Sequence, residues 1–135
     1  MRIAGVGSAF PKHYYQQEIL VEALKNDWRH RLPNPAILDR LEESMKVDGR
    51  FTARPIDFYE GMQTWGQAND AWIEAGLELG EEALCRALKC AGLAPKNLSA
   101  IFVTSVTGIA APSLDARLQR LRRKTRPGGR GAARP

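Results

Sequence analysis

Hydroxyl side chains at the end of an apolar run are the residues in this chain whose types and spacing most suggest chemistry. Thr104, Ser105 and Thr107 close a segment rich in Val, Ile and Phe, and the small residues Gly108 and Ala110 follow them. Open α/β sheets bind ligands beyond the carboxyl ends of their strands, so hydroxyls placed there could line a pocket. The same residues could equally cap an ordinary turn between a strand and a helix.

Two cysteines are the next candidates for chemistry. Cys85 and Cys90 lie five positions apart, which matches no zinc or redox spacing. A nucleophilic thiol needs a cationic neighbour or a helix N-terminus together with a base, whereas these two fall deep in a predicted helix or near its C-terminal end. We therefore expect both cysteines to pack in the interior.

No metal or cofactor site is predicted. His13 and His30 stand among polar residues without a Cys or an acid at ligand spacing, so we expect surface histidines. Gly5-Val-Gly7 lacks the third glycine of a dinucleotide-binding turn, because Phe10 and Pro11 follow it. The two glycines are expected to allow close packing of the backbone instead.

The elements that must position these residues alternate between strands and helices, which is α/β order. We predict a strand over 2–10, helices over about 15–29, from residue 35, and over about 63–91, an extended connection over 50–55, and a strand over 98–105 that is buried on both faces. In the first helix, Ile19, Leu20, Ala23, Leu24 and Trp28 form one apolar stripe. Gly76 and Gly80 either divide the long helix or admit a close neighbour, and Gly92 ends it.

Composition and charge exclude several classes of protein. The chain has 135 residues and a net charge of +5, but residues 119–135 hold seven of the 20 basic residues and none of the 15 acids. Nucleic-acid binding by a folded basic face is therefore not expected. No apolar run approaches the roughly 20 residues that span a bilayer, and no signal sequence is visible, so we expect a cytoplasmic protein without membrane association.

Four segments in register resemble the N-terminal part of the chalcone synthase-like type III polyketide synthases, in the bacterial style. They are the opening Arg-Ile-Ala-Gly-Val-Gly-Ser-Ala-Phe-Pro, the run Val47-Asp-Gly-Arg-Phe with Arg54-Pro55, the helix end Ala-Leu-Lys-Cys-Ala-Gly-Leu, and Val103-Thr-Ser-Val-Thr-Gly-Ile-Ala-Ala-Pro-Ser-Leu-Asp. The resemblance covers residues 2 to about 118. It implies a partial thiolase-like (αβαβα) fold, normally dimeric, over residues 1–118.

The resemblance also implies an activity. Members of the family are acyltransferases in which a Cys accepts an acyl-CoA starter, and a His and an Asn promote decarboxylative Claisen condensation with malonyl-CoA. Coenzyme A thioesters are substrates, and no separate cofactor is implied. The three catalytic residues fall beyond the resembling segment, so no catalytic residue is assigned here, and this chain alone is expected to be inactive.

Five substrate-binding residues follow from the resemblance. Val106 and Thr107 fall where the family lines its acyl cavity, and Ala111 falls where a residue reaches into the cavity of the dimer partner. Lys46 and Arg50 fall near the residues that meet the phosphates of coenzyme A in plant members.

Residues 119–135 depart from the family pattern and contain no Cys, His or Asn. We expect this basic Arg/Gly/Pro tail to be disordered and interpret it as the product of a shifted reading frame or a truncated gene. Two alternatives remain open at this stage: a fragment of a ketoacyl synthase III-like condensing enzyme, and a non-enzymatic interaction module.

Overall fold

The computed structural model describes residues 2–28, 32–34, 36–44, 46–62 and 64–120. These residues form two compact units. One contains the N-terminal segment to Ala9 and the described residues from Trp72 to Arg120, and the other contains the described residues of Phe10–Ala71. The expected tail falls outside the described residues beyond position 120, as does His30.

The described residues of Phe10–Ala71 form an antiparallel pair of strands, three short helices and the start of a longer one. Strand β1 (His13–Gln16) pairs with β2 (Gly49–Thr52), with Tyr15 opposite Arg50. Helix α1 (Gln17–Trp28) follows β1 directly, and the remaining helices are α2 (Ala36–Ser44) and the short α3 (Ile56–Glu60). The Lys25 ammonium lies 2.7 Å from an Asp39 carboxylate oxygen and ties α1 to α2.

Helix α4 (Trp65–Ala91) is the longest described element. A capping motif marks each of its ends. At its start, the Gln67 amide donates to Thr64 Oγ1 over 3.2 Å, while the Thr64 amide donates to Gln67 Oε1 over 3.1 Å. This reciprocal pair is a capping box. At its end, Gly92 adopts φ +66°, and the amides of Gly92 and Leu93 donate to Lys89 and Leu88 carbonyls. That pattern is a Schellman motif, so the predicted stop at Gly92 is confirmed.

The glycines of the N-terminal segment lie directly against α4. A Cβ at Gly5 would stand 2.5 Å from the Ala87 carbonyl oxygen, and one at Gly7 would stand 2.5 Å from the Ala87 nitrogen. Arg86 supports the same contact by donating to the Ser8 carbonyl over 2.8 Å. The expected close packing is confirmed, because only glycine leaves room for this approach.

Helix α5 (Leu114–Leu118) packs on α4 at two other glycines. Leu114 Cδ1 would lie 3.3 Å from a Cβ at Gly76, and Leu118 Cδ1 would lie 3.1 Å from one at Gly80. Both leucines are buried. Gly76 and Gly80 therefore admit a close neighbour and do not divide the helix.

The two predicted strands over 2–10 and 98–105 are wrong for this chain. Within the described residues only β1 and β2 pair, and a short 3-10 turn over Pro95–Asn97 precedes an irregular segment. A strand requires a hydrogen-bonded neighbour, and neither segment has one among the described residues. The second segment is also not buried on both faces, since Phe102 is 94% and Val103 is 41% exposed.

Candidate functional site

The segment between residues 103 and 113 contains the hydroxyl and small side chains of the sequence-predicted site, and it rests on Trp72. A Cβ at Gly108 would meet the indole ring of Trp72, with the Cε2 atom 2.9 Å away. Any side chain at position 108 would therefore displace either the ring or the loop. Gly108 and Trp72 together fix the loop against the first residues that α4 contributes to this unit.

A small cleft of about 160 Å³ opens beside this contact. The hydroxyls of Ser105 and Ser113 and the carboxylate of Asp115 provide its polar lining. The remaining lining residues are Trp72, Val103, Gly108, Ala110 and Leu114. The cleft is large enough for a few water molecules and too small for an acyl-CoA thioester.

The hydroxyls do not act as one group. Ser105 Oγ accepts the Thr107 amide over 3.2 Å, so this side chain closes a local turn. Thr104 and Thr107 are exposed and do not line the cleft. Ser105 therefore closes a local turn and also lines the cleft, so both interpretations of this side chain stay open.

The three residues assigned to the acyl cavity lie on the outside of the loop. Val106 is fully exposed at 103%, and Thr107 and Ala111 are exposed as well. None of them lines the cleft. Their expected role in an acyl cavity stays a prediction.

Arg117 was missed by sequence reasoning and holds the end of the loop. Its Nε donates to the Pro112 carbonyl over 2.8 Å, and its Nη2 donates to the Ala111 carbonyl over 3.3 Å. The Ala111–Pro112 peptide bond is cis. The spacing of Leu114 and Leu118, which matches that of Gly76 and Gly80, could have indicated the packing of α5. No sequence signal indicates that Arg117 turns back to the loop.

Lys46 and Arg50 belong to the other unit. Lys46 precedes β2 and is exposed, and Arg50 lies within β2 and is also exposed. Exposed cationic side chains near a strand end can meet a phosphate without a large desolvation cost. The assignment of both residues to coenzyme A stays a prediction.

The same unit contains a larger groove of about 400 Å³ between α1 and the region of α3. The groove is lined by Leu20, Ala23, Leu24, Asp27, Trp28, Thr52, Ile56, Tyr59, Glu60 and Met62. The apolar stripe predicted for α1 therefore faces a groove and is not uniformly buried: Trp28 and Ile19 are each 45% exposed, and Val21 is the buried apolar residue of the helix. None of the predicted site residues lines this groove.

The expectation that the cysteines pack in the interior is wrong. Cys85 and Cys90 are both exposed and unpaired with each other. The face of α4 that the N-terminal segment covers presents Ala83, Ala87 and Ala91 instead, so the thiols lie outside that contact.

His13 is half-buried in β1, and no group of metal-binding side chains occurs among the described residues. No described helix is both long enough and apolar enough to cross a membrane.

Curated relatives cover most of this chain. It is 45% identical over 116 residues to the 1,3,6,8-tetrahydroxynaphthalene synthase of Streptomyces peucetius subsp. caesius, covering 86% of this chain and 31% of the relative. It is 26% identical to a putative chalcone synthase of Bacillus subtilis, over 86% of this chain and 33% of that protein. It is also 28% identical to the phloroglucinol synthase of Pseudomonas fluorescens, over 81% of this chain and 31% of that protein.

The chain thus spans about a third of the length of the curated relatives it matches. No family model matches the sequence. Among solved structures, PKS-I of the brown alga Ectocarpus siliculosus superposes with a TM-score of 0.69 at 21% identity, over 87% of this chain and 35% of that one. This similarity shows the fold. The chain is therefore a type III polyketide synthase-like sequence with part of a thiolase-like fold.

Proposed function

We propose that this chain contributes the substrate-binding part of a type III polyketide synthase, an acyltransferase that condenses an acyl-CoA starter with malonyl-CoA. The observation that carries the proposal is the 45% identity over 116 residues to a tetrahydroxynaphthalene synthase. The fold shared with PKS-I supports it independently of that sequence alignment. The reaction would proceed by decarboxylation of malonyl-CoA and Claisen condensation onto an enzyme-bound acyl group.

The chemical steps and the binding steps fall on different residues. Acyl transfer through a thioester needs an activated thiolate with a neighbouring base, and the enolate and tetrahedral intermediates need fixed hydrogen-bond donors. Cys85 and Cys90 are exposed on α4, and neither makes a described contact with a histidine. The chain's own contribution is consequently to bind and shape the substrate. Alone, it is expected to release no coenzyme A from malonyl-CoA.

Coenzyme A recognition is assigned to Lys46 and Arg50. Both are exposed, and they lie four positions apart at the start of β2. A phosphate carries negative charge and several acceptor oxygens, and Arg can donate two parallel hydrogen bonds to it. In this proposal the two cations hold the phosphates of the thioester.

The shape of the acyl cavity is assigned to Val106, Thr107 and Ala111. All three lie on the outer side of the loop that Trp72 and Arg117 support. A homodimer would place Ala111 against the partner's cavity, where its small side chain would leave a wider floor than a larger residue. We propose this dimer, and a cytoplasmic location, together with the activity.

A chimaeric synthase tests the proposed function. The segment of the S. peucetius tetrahydroxynaphthalene synthase that matches this chain is replaced by the aligned residues of this chain, and product formation from malonyl-CoA is followed by mass spectrometry. The parent synthase is the positive control, and this 135-residue chain alone is the negative control. A soluble, folded chimaera that forms polyketide supports the proposal. A folded chimaera without turnover contradicts it.

A further inference from the structure

The carbonyl groups of Ala111 and Pro112 both accept hydrogen bonds from one side chain. Arg117 Nε lies 2.8 Å from the Pro112 oxygen, and Nη2 lies 3.3 Å from the Ala111 oxygen. Hydrogen bonds from a charged donor are shorter and stronger than those between neutral groups. A guanidinium holds its donors in a rigid plane, so two consecutive carbonyls are fixed relative to α5 at once.

Helix α5, which carries Arg117, is itself held in place by packing on α4. Leu114 and Leu118 flank Arg117 along α5, and they are 7% and 6% exposed against Gly76 and Gly80 of α4. Because the two leucines lie one helical turn apart, α5 cannot rotate on α4 without opening one of these contacts. Arg117 therefore transmits the position of α4 to the backbone at residues 111 and 112.

The loop has a second support at its other end. Gly108 lies against the Trp72 ring, and Ser105 Oγ accepts the Thr107 amide. Between these supports and Arg117, Val106 and Ile109 are 103% and 69% exposed, so their side chains contribute little packing that could hold the loop. The two hydrogen bonds from Arg117 are the described side-chain contacts to the carbonyls of residues 111 and 112.

We infer that Arg117 is a positioning residue that sets the placement of Ala111, and through it the size of the acyl group that the assembled synthase accepts. The inference rests on the proposed function, since it assigns a specificity role within the proposed acyl cavity. Arg117 touches backbone carbonyls and is not placed against substrate. Its loss should change which products form more than it changes the binding of coenzyme A.

The first test uses the full 135-residue chain, labelled with 15N and 13C. NMR should detect a coupling across the hydrogen bond from Arg117 Nε to the Pro112 carbonyl carbon, and the Ala111 amide should be as rigid as the amides of α5. Arg117→Met should release Ala111 to fast motion, and Arg117→Lys should restore part of the rigidity. Arg120→Met is the matched control, because it removes an exposed charge three residues away. A mobile Ala111 in the native chain, or no difference between the two Met variants, would overturn the inference.

The second test places the same variants in the chimaeric synthase. For Arg117→Met we expect the ratio of longer to shorter products to change by at least about threefold, as the loss of both hydrogen bonds allows, with the KM for malonyl-CoA nearly unchanged. Arg120→Met should leave the product ratio as it is. An active chimaera whose products are the same with Arg117→Met contradicts this inference and leaves the proposed function intact. An inactive chimaera with native Arg117 contradicts the proposed function itself.

Discussion

Lys46 and Arg50 are the residues that we propose to contact the phosphates of the substrate. Their side chains are exposed in the same unit, and Arg50 lies opposite Tyr15 in the β1–β2 pair. Exposed charge pairs contribute modestly because water screens them. We therefore expect these residues to affect the affinity for the phosphates and not the rate of the chemical step.

Replacing both cations by alanine in the chimaeric synthase should raise the KM for malonyl-CoA about fivefold, with little change in kcat, because each exposed contact contributes up to about 1 kcal/mol. Steady-state kinetics with malonyl-CoA and with its 3′-dephospho analogue measure the effect. Lys96→Ala, at an exposed lysine of the other unit, is the matched control. Equal KM values in the double variant and the control would contradict the assignment of Lys46 and Arg50 to coenzyme A.

Gly7 lies so close to α4 that an added Cβ atom would disturb the packing of the N-terminal segment. Alanine at this position would bring a Cβ 2.5 Å from the Ala87 nitrogen and still closer to the Ala83 carbonyl. Backbone atoms cannot move aside cheaply, so Gly7→Ala should lower the free energy of unfolding by about 1–3 kcal/mol. Denaturant unfolding of the full chain measures this change.

Gly66→Ala is the control for that substitution. Gly66 lies in the first turn of α4, and its nearest neighbour, Thr64 Oγ1, would be 3.8 Å from the new Cβ. Because alanine is the better helix former, this variant should be neutral or stabilised by up to about 1 kcal/mol. A Gly7→Ala protein as stable as Gly66→Ala would show that the segment does not lie against α4.

Among the elements, the contact between α4 and α5 positions the predicted loop. Leu118→Ala removes a side chain that is 6% exposed over Gly80, which should cost about 2–3 kcal/mol of unfolding free energy. Leu93→Ala, at a leucine that is 46% exposed, should cost much less. Thermal and denaturant unfolding compare the two variants, and equal losses would argue against the docking of α5.

The helices were predictable from the sequence because their signals are local. The apolar spacing of α1 and the Gly92 stop of α4 depend on residues within a few positions of each other. The β1–β2 pair was not predicted, since Tyr14 and Tyr15 fit the start of the helical pattern equally well. Strands over 2–10 and 98–105 were predicted wrongly, because composition reports the tendency to extend and not the presence of a hydrogen-bonded partner.

The candidate site was predictable only in part, for the same reason. Hydroxyls and small residues at 104–111 mark the loop by their types alone, and Ser105 proves to close a turn within it. The Arg117 contact to Ala111 and Pro112 depends on how the chain reverses, which the pattern of residue types does not encode. Contacts of this kind are set by tertiary geometry.

At the scale of the whole molecule, large apolar side chains remain exposed. Phe102 is 94%, Val106 is 103% and Ile3 is 80% exposed, and all three belong to the unit that contains the candidate loop. Among the described residues, buried apolar side chains include Val21, Leu38 and Leu88. Such a surface favours association with other apolar surfaces.

Phe102→Ser combined with Val106→Ser should therefore reduce self-association of the full chain without lowering its melting temperature. Sedimentation velocity over a range of concentrations, with thermal unfolding in parallel, measures both quantities. Lys89→Ser, at an exposed residue of α4, is the control for surface change without loss of apolar area. Unchanged association in the double variant would show that these residues do not drive contact between chains.

The central claim is that residues of this chain can stand in for the matching part of a type III polyketide synthase. Release of labelled carbon dioxide from carboxyl-labelled malonyl-CoA by the chimaeric synthase measures it most directly, because decarboxylation precedes each condensation. We expect the folded chimaera to release carbon dioxide and form polyketide in proportion, while the 135-residue chain alone releases none. A folded chimaera that releases no carbon dioxide above the level of the chain alone would contradict the claim.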